Sequence, residues 1–171
     1  MLLENKRSVK LNMPNGKHVD ILGSVLDEME KWKQSSRTIP ESCGFILGYE
    51  NSETNNITLS QITIPQKDDH RSRFFCKLKD KIHFDSLRSN RLKQNYYMGV
   101  WHTHPQNIPE PSITDWNEWK EILEREKTGS IFAFFFIVGI TEIRCWVGNF
   151  QNKSIVEIFE APKIDNIYVR E

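Results

Sequence analysis

Residues 101–115 read WHTHPQNIPEPSITD. His102 and His104 stand one residue apart, Asp115 lies eleven residues beyond His104, and Pro105, Pro109 and Pro111 stiffen the stretch between. In an extended strand residues i and i+2 share a face, so both imidazoles can point the same way. Neutral imidazole is a good zinc ligand at about 2.0–2.1 Å, and a catalytic zinc uses three protein ligands and leaves a fourth position for water. Two histidines and an aspartate meet that count. A proline-rich loop has less freedom to lose, so bringing Asp115 back beside the histidines costs less ordering entropy. Zinc so held would lower the pKa of a bound water to roughly 7. A plainer reading stands beside this one. Ser112 and Asp115 have the spacing of an N-cap and the third residue of a helix, and a strand-end histidine pair can be a surface feature.

The positioning elements can be read outward from this stretch. Residues 96–101 predict a strand that feeds directly into His102, and 112–126 predict a helix with Trp116, Trp119, Ile122 and Leu123 on its apolar face. The run 130–139 is too short to cross a bilayer and reads as a buried strand, with further strands at 142–148 and 153–159. Upstream, Asn15-Gly16 marks a hairpin between 8–13 and 17–22. A helix follows from Ser24, with Ser24 and Asp27 as a capping pair. Glu41 stands just before the glycine-bounded strand CGFILG, whose neighbour is 56–64, and 78–93 reads as a second long helix. The sum is an α/β (α+β) protein, a curved mixed sheet flanked by helices in a single domain over 1–171.

Lysine plus arginine and aspartate plus glutamate number 23 each, giving a net charge of zero. That balance marks neither a nucleic-acid nor a membrane surface. The N-terminus lacks the apolar core of a signal peptide. Cys43, Cys76 and Cys145 are far apart and odd in number, which speaks against a disulfide framework and for a reduced, cytoplasmic protein. Cys43 is expected to pack as a small hydrophobe. Asp68, Asp69 and His70 fall in a polar stretch and read as a solvated loop. His83 reads as a surface or internally satisfied histidine, and His18 borders the first hairpin. Arg71, Arg73, Lys77, Lys79, Lys81, Arg88, Arg91 and Lys93 are interleaved with Asp80 and Asp85 and read as a solvated face, or as a contact surface for an acidic partner. There is no H-E-x-x-H.

The whole pattern is more specific than its parts. His102-Thr103-His104-Pro105, six further residues, then Ser112-Ile113-Thr114-Asp115, with Glu41 upstream of an apolar strand, resembles the JAMM (MPN+) metalloprotease signature over roughly residues 20–150. The resemblance implies an MPN/JAB (cytidine-deaminase-like) fold. It implies one catalytic zinc held by His102, His104 and Asp115, with Glu41 as general acid/base to the activated water and Ser112 as donor to the oxyanion. By strand alternation Thr103 points away from the metal as support, and Trp101 points into the core. The implied activity is peptidase or isopeptidase cleavage after the tail of a ubiquitin or ubiquitin-like protein. Lysine-linkage-specific members carry an insertion after the aspartate. None is present here, which puts polyubiquitin-linkage specificity in doubt. The chain looks more like the prokaryotic JAB branch. The wording WHTHP…PS-x-x-D-x-x-x-W is similar to deconjugating peptidases of CBASS antiphage operons, which implies a nucleotidyltransferase conjugate and its transfer enzyme as partners. Two other functions fit the family: release of a small product from a sulfur-carrier protein with a ubiquitin-like fold, and a non-catalytic scaffold module.

Overall fold

The computed structural model describes residues 7–162. In chain order the elements are β1 (Val9–Asn12), β2 (His18–Ile21), α1 (Gly23–Glu30), β3 (Cys43–Glu50), β4 (Ile57–Ile62), β5 (His70–Ser72), β6 (Phe75–Lys77), α2 (Lys81–Arg91), β7 (Tyr96–Thr103), α3 (Ile113–Arg125), β8 (Phe132–Val138), β9 (Ile143–Asn149) and β10 (Ile155–Ile158). Eight strands form one sheet in the order β1-β2-β4-β3-β7-β8-β9-β10. The β2/β4 and β7/β8 pairs are parallel and the others antiparallel. The two edges nearly meet: Asn12 N–H donates to Phe159 O at 2.9 Å and Ala161 N–H to Lys10 O at 2.8 Å. The mixed, curved sheet expected from the sequence is therefore almost a closed barrel.

Each face of the sheet buries its own cluster, and β8 shows why its sequence is apolar throughout. Phe132, Phe134, Phe136 and Val138 join Val19, Ile21, Met29, Leu59, Met98 and Trp101 inside the curve, under α1. Ala133, Phe135 and Ile137 face outward, where Trp119 and Leu123 of α3 cover them together with Trp146. Trp119 stacks on Phe135 with ring centroids 4.9 Å apart. A strand covered on both sides needs no polar alternation. At the first hairpin Gly16 takes φ 79°, a left-handed conformation that glycine adopts without steric cost.

Three local expectations are corrected. The helix α1 starts at Gly23 with Leu22 at the cap position and no side-chain cap, so Ser24 and Asp27 form no capping pair. The segment 66–80 is not simply a solvated loop. It carries the hairpin β5–β6, and the Asp69 side chain is fully buried. Asp69 accepts from the amides of Gln66, Lys79 and Asp80 and pairs with His83 Nε2 at 2.6 Å. The other ring nitrogen of His83 meets Thr63 Oγ1 at 2.7 Å, so this buried histidine is internally satisfied. Asp68 and His70 are exposed, as the polar stretch implied.

The third correction concerns the cysteines. Cys43 at the start of β3 is joined to Cys76 in β6 by a disulfide, with the Cα atoms 5.9 Å apart. The hairpin brings the pair together across 33 residues, a proximity that spacing alone does not show. Cys145 is a buried free thiol. Closing a loop of that length stabilises the fold by roughly 3–4 kcal/mol. Reductant is therefore expected to lower Tm by about 6–15 °C. In calorimetry Cys76→Ser should melt where the reduced wild type melts and be indifferent to reductant. An unchanged wild-type Tm would refute the crosslink. Among the described residues no helix is long and apolar enough to cross a membrane.

Candidate metal centre

The site forms where β7 ends. Because β3 runs antiparallel to β7, its first residue lies opposite the last turn of that strand, with Cys43 paired to His102. This register brings the residues just before β3, Glu41 among them, to the histidines. Alternation along β7 does what the sequence predicts. Trp101 is wholly buried inside the curve and donates Nε1–H to Thr63 O at 2.9 Å. His102 points to the other face, and Thr103 points back inside, where its Oγ1 accepts from Ser42 N–H at 2.9 Å. His104 lies just past the strand, anchored by its amide to Val138 O at 3.0 Å.

The proline-rich loop then returns the chain to the same place. Its carbonyls are tied to the β8–β9 turn: Gln106 O accepts from Ile140 N–H at 2.8 Å, and Asn107 O from Thr141 N–H at 3.1 Å. Arg144 donates to Pro109 O and to Glu110, each at 2.8 Å, and forks onto Glu157. With the loop pinned, α3 begins beside His104. Ser112 is its N-cap: Ser112 Oγ accepts from Asp115 N–H at 3.1 Å, while Asp115 Oδ2 accepts from Ser112 N–H at 2.8 Å. The capping box thus includes one of the three candidate ligands, and the Asp115 carboxylate is aimed by the helix it caps.

His102 Nε2 and His104 Nε2 stand 3.1 Å apart. His102 Nε2 is 3.2 Å from Asp115 Oδ1, and His104 Nε2 is 3.2 Å from Asp115 Oδ2. Donors bound at about 2.0–2.1 Å around a tetrahedral zinc lie about 3.3–3.4 Å from one another. The two contacts use different oxygens of Asp115, and one ligand atom from each residue lies within 4.8 Å of the others, so the three groups can close on one ion once the carboxylate turns. Their electrostatics agree. Burial would raise the Asp115 pKa, but the hydrogen bonds of His102 and His104, the charge of His102 and the Ser112 amide hold it well below the usual carboxylate range. Burial would likewise lower the His104 pKa, and Asp115, helped by Gln106, raises it instead. An ionised carboxylate facing two imidazoles calls for positive charge, which protons or a divalent cation can supply.

Glu41 and Ser112 line the same groove as His102, His104 and Asp115, a cleft of about 750 Å³. Burial pushes the Glu41 carboxyl up to about 7, against the pull of His102 and His104 and with a smaller push from Asp115 and Glu118. The structure therefore brings all five expected site residues together. It also adds some that the sequence did not single out. Gln106 Oε1 meets His104 Nδ1 at 3.2 Å and fixes that ring from behind. Glu118, one turn beyond Asp115, lines the groove, and burial raises its pKa. Its i+3 spacing from Asp115 was the available signal. The hairpin supplies the opposite wall with Arg73, Phe74, Phe75 and Lys77.

The family model describing prokaryotic homologs of the JAB domain matches residues 24–149, and the chain belongs to that family. Three curated relatives carry the name CD-NTase/cGAS isopeptidase. The one from Vibrio cholerae serotype O1 is 25% identical over 147 residues, covering 83% of this chain and 87% of its own. Another, from Escherichia coli strain TW11681, is 30% identical over 106 residues, 60% of this chain and 66% of its own. The third, from Pseudomonas aeruginosa, is 25% identical over 108 residues, 61% and 66%. A solution structure of a protein from Salinibacter ruber aligns over 85% of this chain and 92% of that one, at 17% identity and a TM-score of 0.47.

Proposed function

We propose that this chain is a zinc-dependent isopeptidase that cuts the bond after the C-terminal tail of a nucleotidyltransferase joined to its target in a ubiquitin-like manner. The observation that carries the reading is the convergence of His102, His104 and Asp115 at mutual distances of 3.1–3.2 Å beside Glu41. The names of the relatives support the substrate class. The reading places the chain in antiphage defence, and the Cys43–Cys76 disulfide removes the cysteine argument for a cytoplasmic location.

When bound, zinc supplies a Lewis acid and makes water more acidic. The chain's own groups do the rest. Glu41 accepts a proton from the water that adds to the scissile carbonyl carbon. It then delivers that proton to the departing amine as the C–N bond breaks. A carboxyl whose pKa is raised toward neutrality suits both halves of this exchange. The Ser112 oxygen already accepts from the Asp115 amide, so its own O–H remains free to donate to the oxyanion. Gln106 and the capping box hold the ligands in orientation.

The test uses an isopeptide-linked conjugate of the partner nucleotidyltransferase, incubated with purified protein before and after o-phenanthroline. Cleavage is expected to fall at least ~100-fold with the chelator and to return with zinc. Release of a small adduct from a sulfur-carrier protein, with the conjugate left intact, would replace this substrate class. Absence of both bound zinc and turnover would leave a scaffold module.

A further inference from the structure

Glu41 belongs to no helix or strand, yet its peptide is held on both sides. Its N–H donates to Ser72 O at 2.8 Å, and its carbonyl accepts from Arg71 Nε at 2.9 Å. Two consecutive residues of β5 thus take both main-chain groups of Glu41. Arg71 also donates through Nη2 to Ser42 Oγ at 2.8 Å. Ser42 is fully buried and is locked in turn by Thr103, whose hydroxyl donates to Gln34 Oε1 at 2.9 Å. Gln34, 1% exposed, donates back to Arg73 O at 3.2 Å, closing a ring of hydrogen bonds from the hairpin through the strand that bears His102. The Arg71 guanidinium rests over the Trp32 ring, 5.6 Å from its centroid. It spends its hydrogen bonds on the Glu41–Ser42 segment and lies apart from the ligands themselves.

We propose that Arg71 is a positioning residue: its planar fork fixes the Glu41–Ser42 segment against the β5–β6 hairpin and so sets where the Glu41 carboxyl stands. The proposal rests on the reading of Glu41 as the proton carrier and extends it to a residue outside the family motif. A misplacement of about 1 Å can cost about 100-fold in rate. A planar guanidinium can reach the carbonyl and the hydroxyl at once, which an ammonium cannot reproduce.

The experiment compares Arg71→Ala and Arg71→Lys with wild type in the zinc-loaded enzyme. Arg71→Ala should lower kcat about 10–100-fold with KM within about twofold and zinc content unchanged. Arg71→Lys should recover part of that loss, and free guanidinium should partly restore Arg71→Ala. In a Glu41→Gln background Arg71→Ala should cost nothing further, because its effect passes through Glu41. A second readout needs no activity. Amide hydrogen exchange at Glu41 and Ser42 should quicken at least ~10-fold in Arg71→Ala, while β8 and β9 keep their protection. Unchanged exchange, an equal loss in both backgrounds, or a rise in KM alone would overturn the proposal. If the wild type cleaves nothing but the exchange still quickens, the isopeptidase reading has failed and the anchoring of Glu41 stands.

Discussion

Glutamine in place of Glu41 is expected to lower conjugate turnover by about 10²–10⁴-fold, the usual contribution of a positioned acid/base. The amide has the shape of the carboxyl and cannot carry the proton. Zinc content should stay at the wild-type level, since Glu41 stands outside the ligand triad. A second consequence follows from burial, which lifts the Glu41 carboxyl from an ordinary 4.5 to about 7 in the metal-free protein. Because the folded state holds that proton more tightly than the unfolded one, ionising Glu41 in the fold costs stability. The cost is absent below about pH 4.5, grows between there and about pH 7, and is complete above. Metal-free Glu41→Gln should therefore melt higher than metal-free wild type at pH 8, and the gain should vanish at pH 4. Retained turnover in Glu41→Gln would end its role as proton carrier. A Tm difference that ignores pH would refute its buried ionisation.

Alanine at Gly44 should be nearly as damaging, through packing and not chemistry. Gly44 faces Trp101 across the β3–β7 pair. A Cβ there would overlap the Thr63 carbonyl and stand 2.5 Å from Trp101 Nε1, the two atoms now joined by a hydrogen bond. Neither side can yield. Trp101 is wholly buried, and Thr63 is held by Phe45 on one side and His83 on the other. Overpacking and the loss of a buried hydrogen bond together are expected to cost about 2–5 kcal/mol in urea unfolding. Trp101 precedes His102, so the strand that carries the ligands shifts with it, and zinc affinity should fall about 10–100-fold in a competitive chelator titration. Wild-type stability in Gly44→Ala would show that β3 and β7 are not in this close register.

Local periodicity was enough to bring His102, His104 and Asp115 to one place, and the resemblance to the JAMM signature made them candidate ligands. The alternation of Trp101, His102 and Thr103 decides which side chains share a face before any partner is known. The Ser112–Asp115 spacing likewise writes both the helix cap and the aim of the carboxylate into four residues. The continuous apolar run of β8 read as a buried strand, and the structure covers it on both faces. What depends on contacts between distant segments could not be read in the same way. Cys43 meets Cys76, Asp69 goes inside to bind His83, and Arg71 turns from an apparent surface cation into the clamp on Glu41. Each of these pairs residues 14 to 33 positions apart, through a hairpin whose polar sequence carries little periodicity. Leu22 displaced Ser24 at the cap of α1 for the same kind of reason. Its backbone is already tied to Leu59 O at 3.1 Å, so the neighbouring strand sets where that helix begins. The sequence determined which chemistry is available and which faces carry it, because those follow from strand and helix geometry. The tertiary structure alone decided how Glu41 is held and which cysteines join, because those depend on where the hairpin folds back.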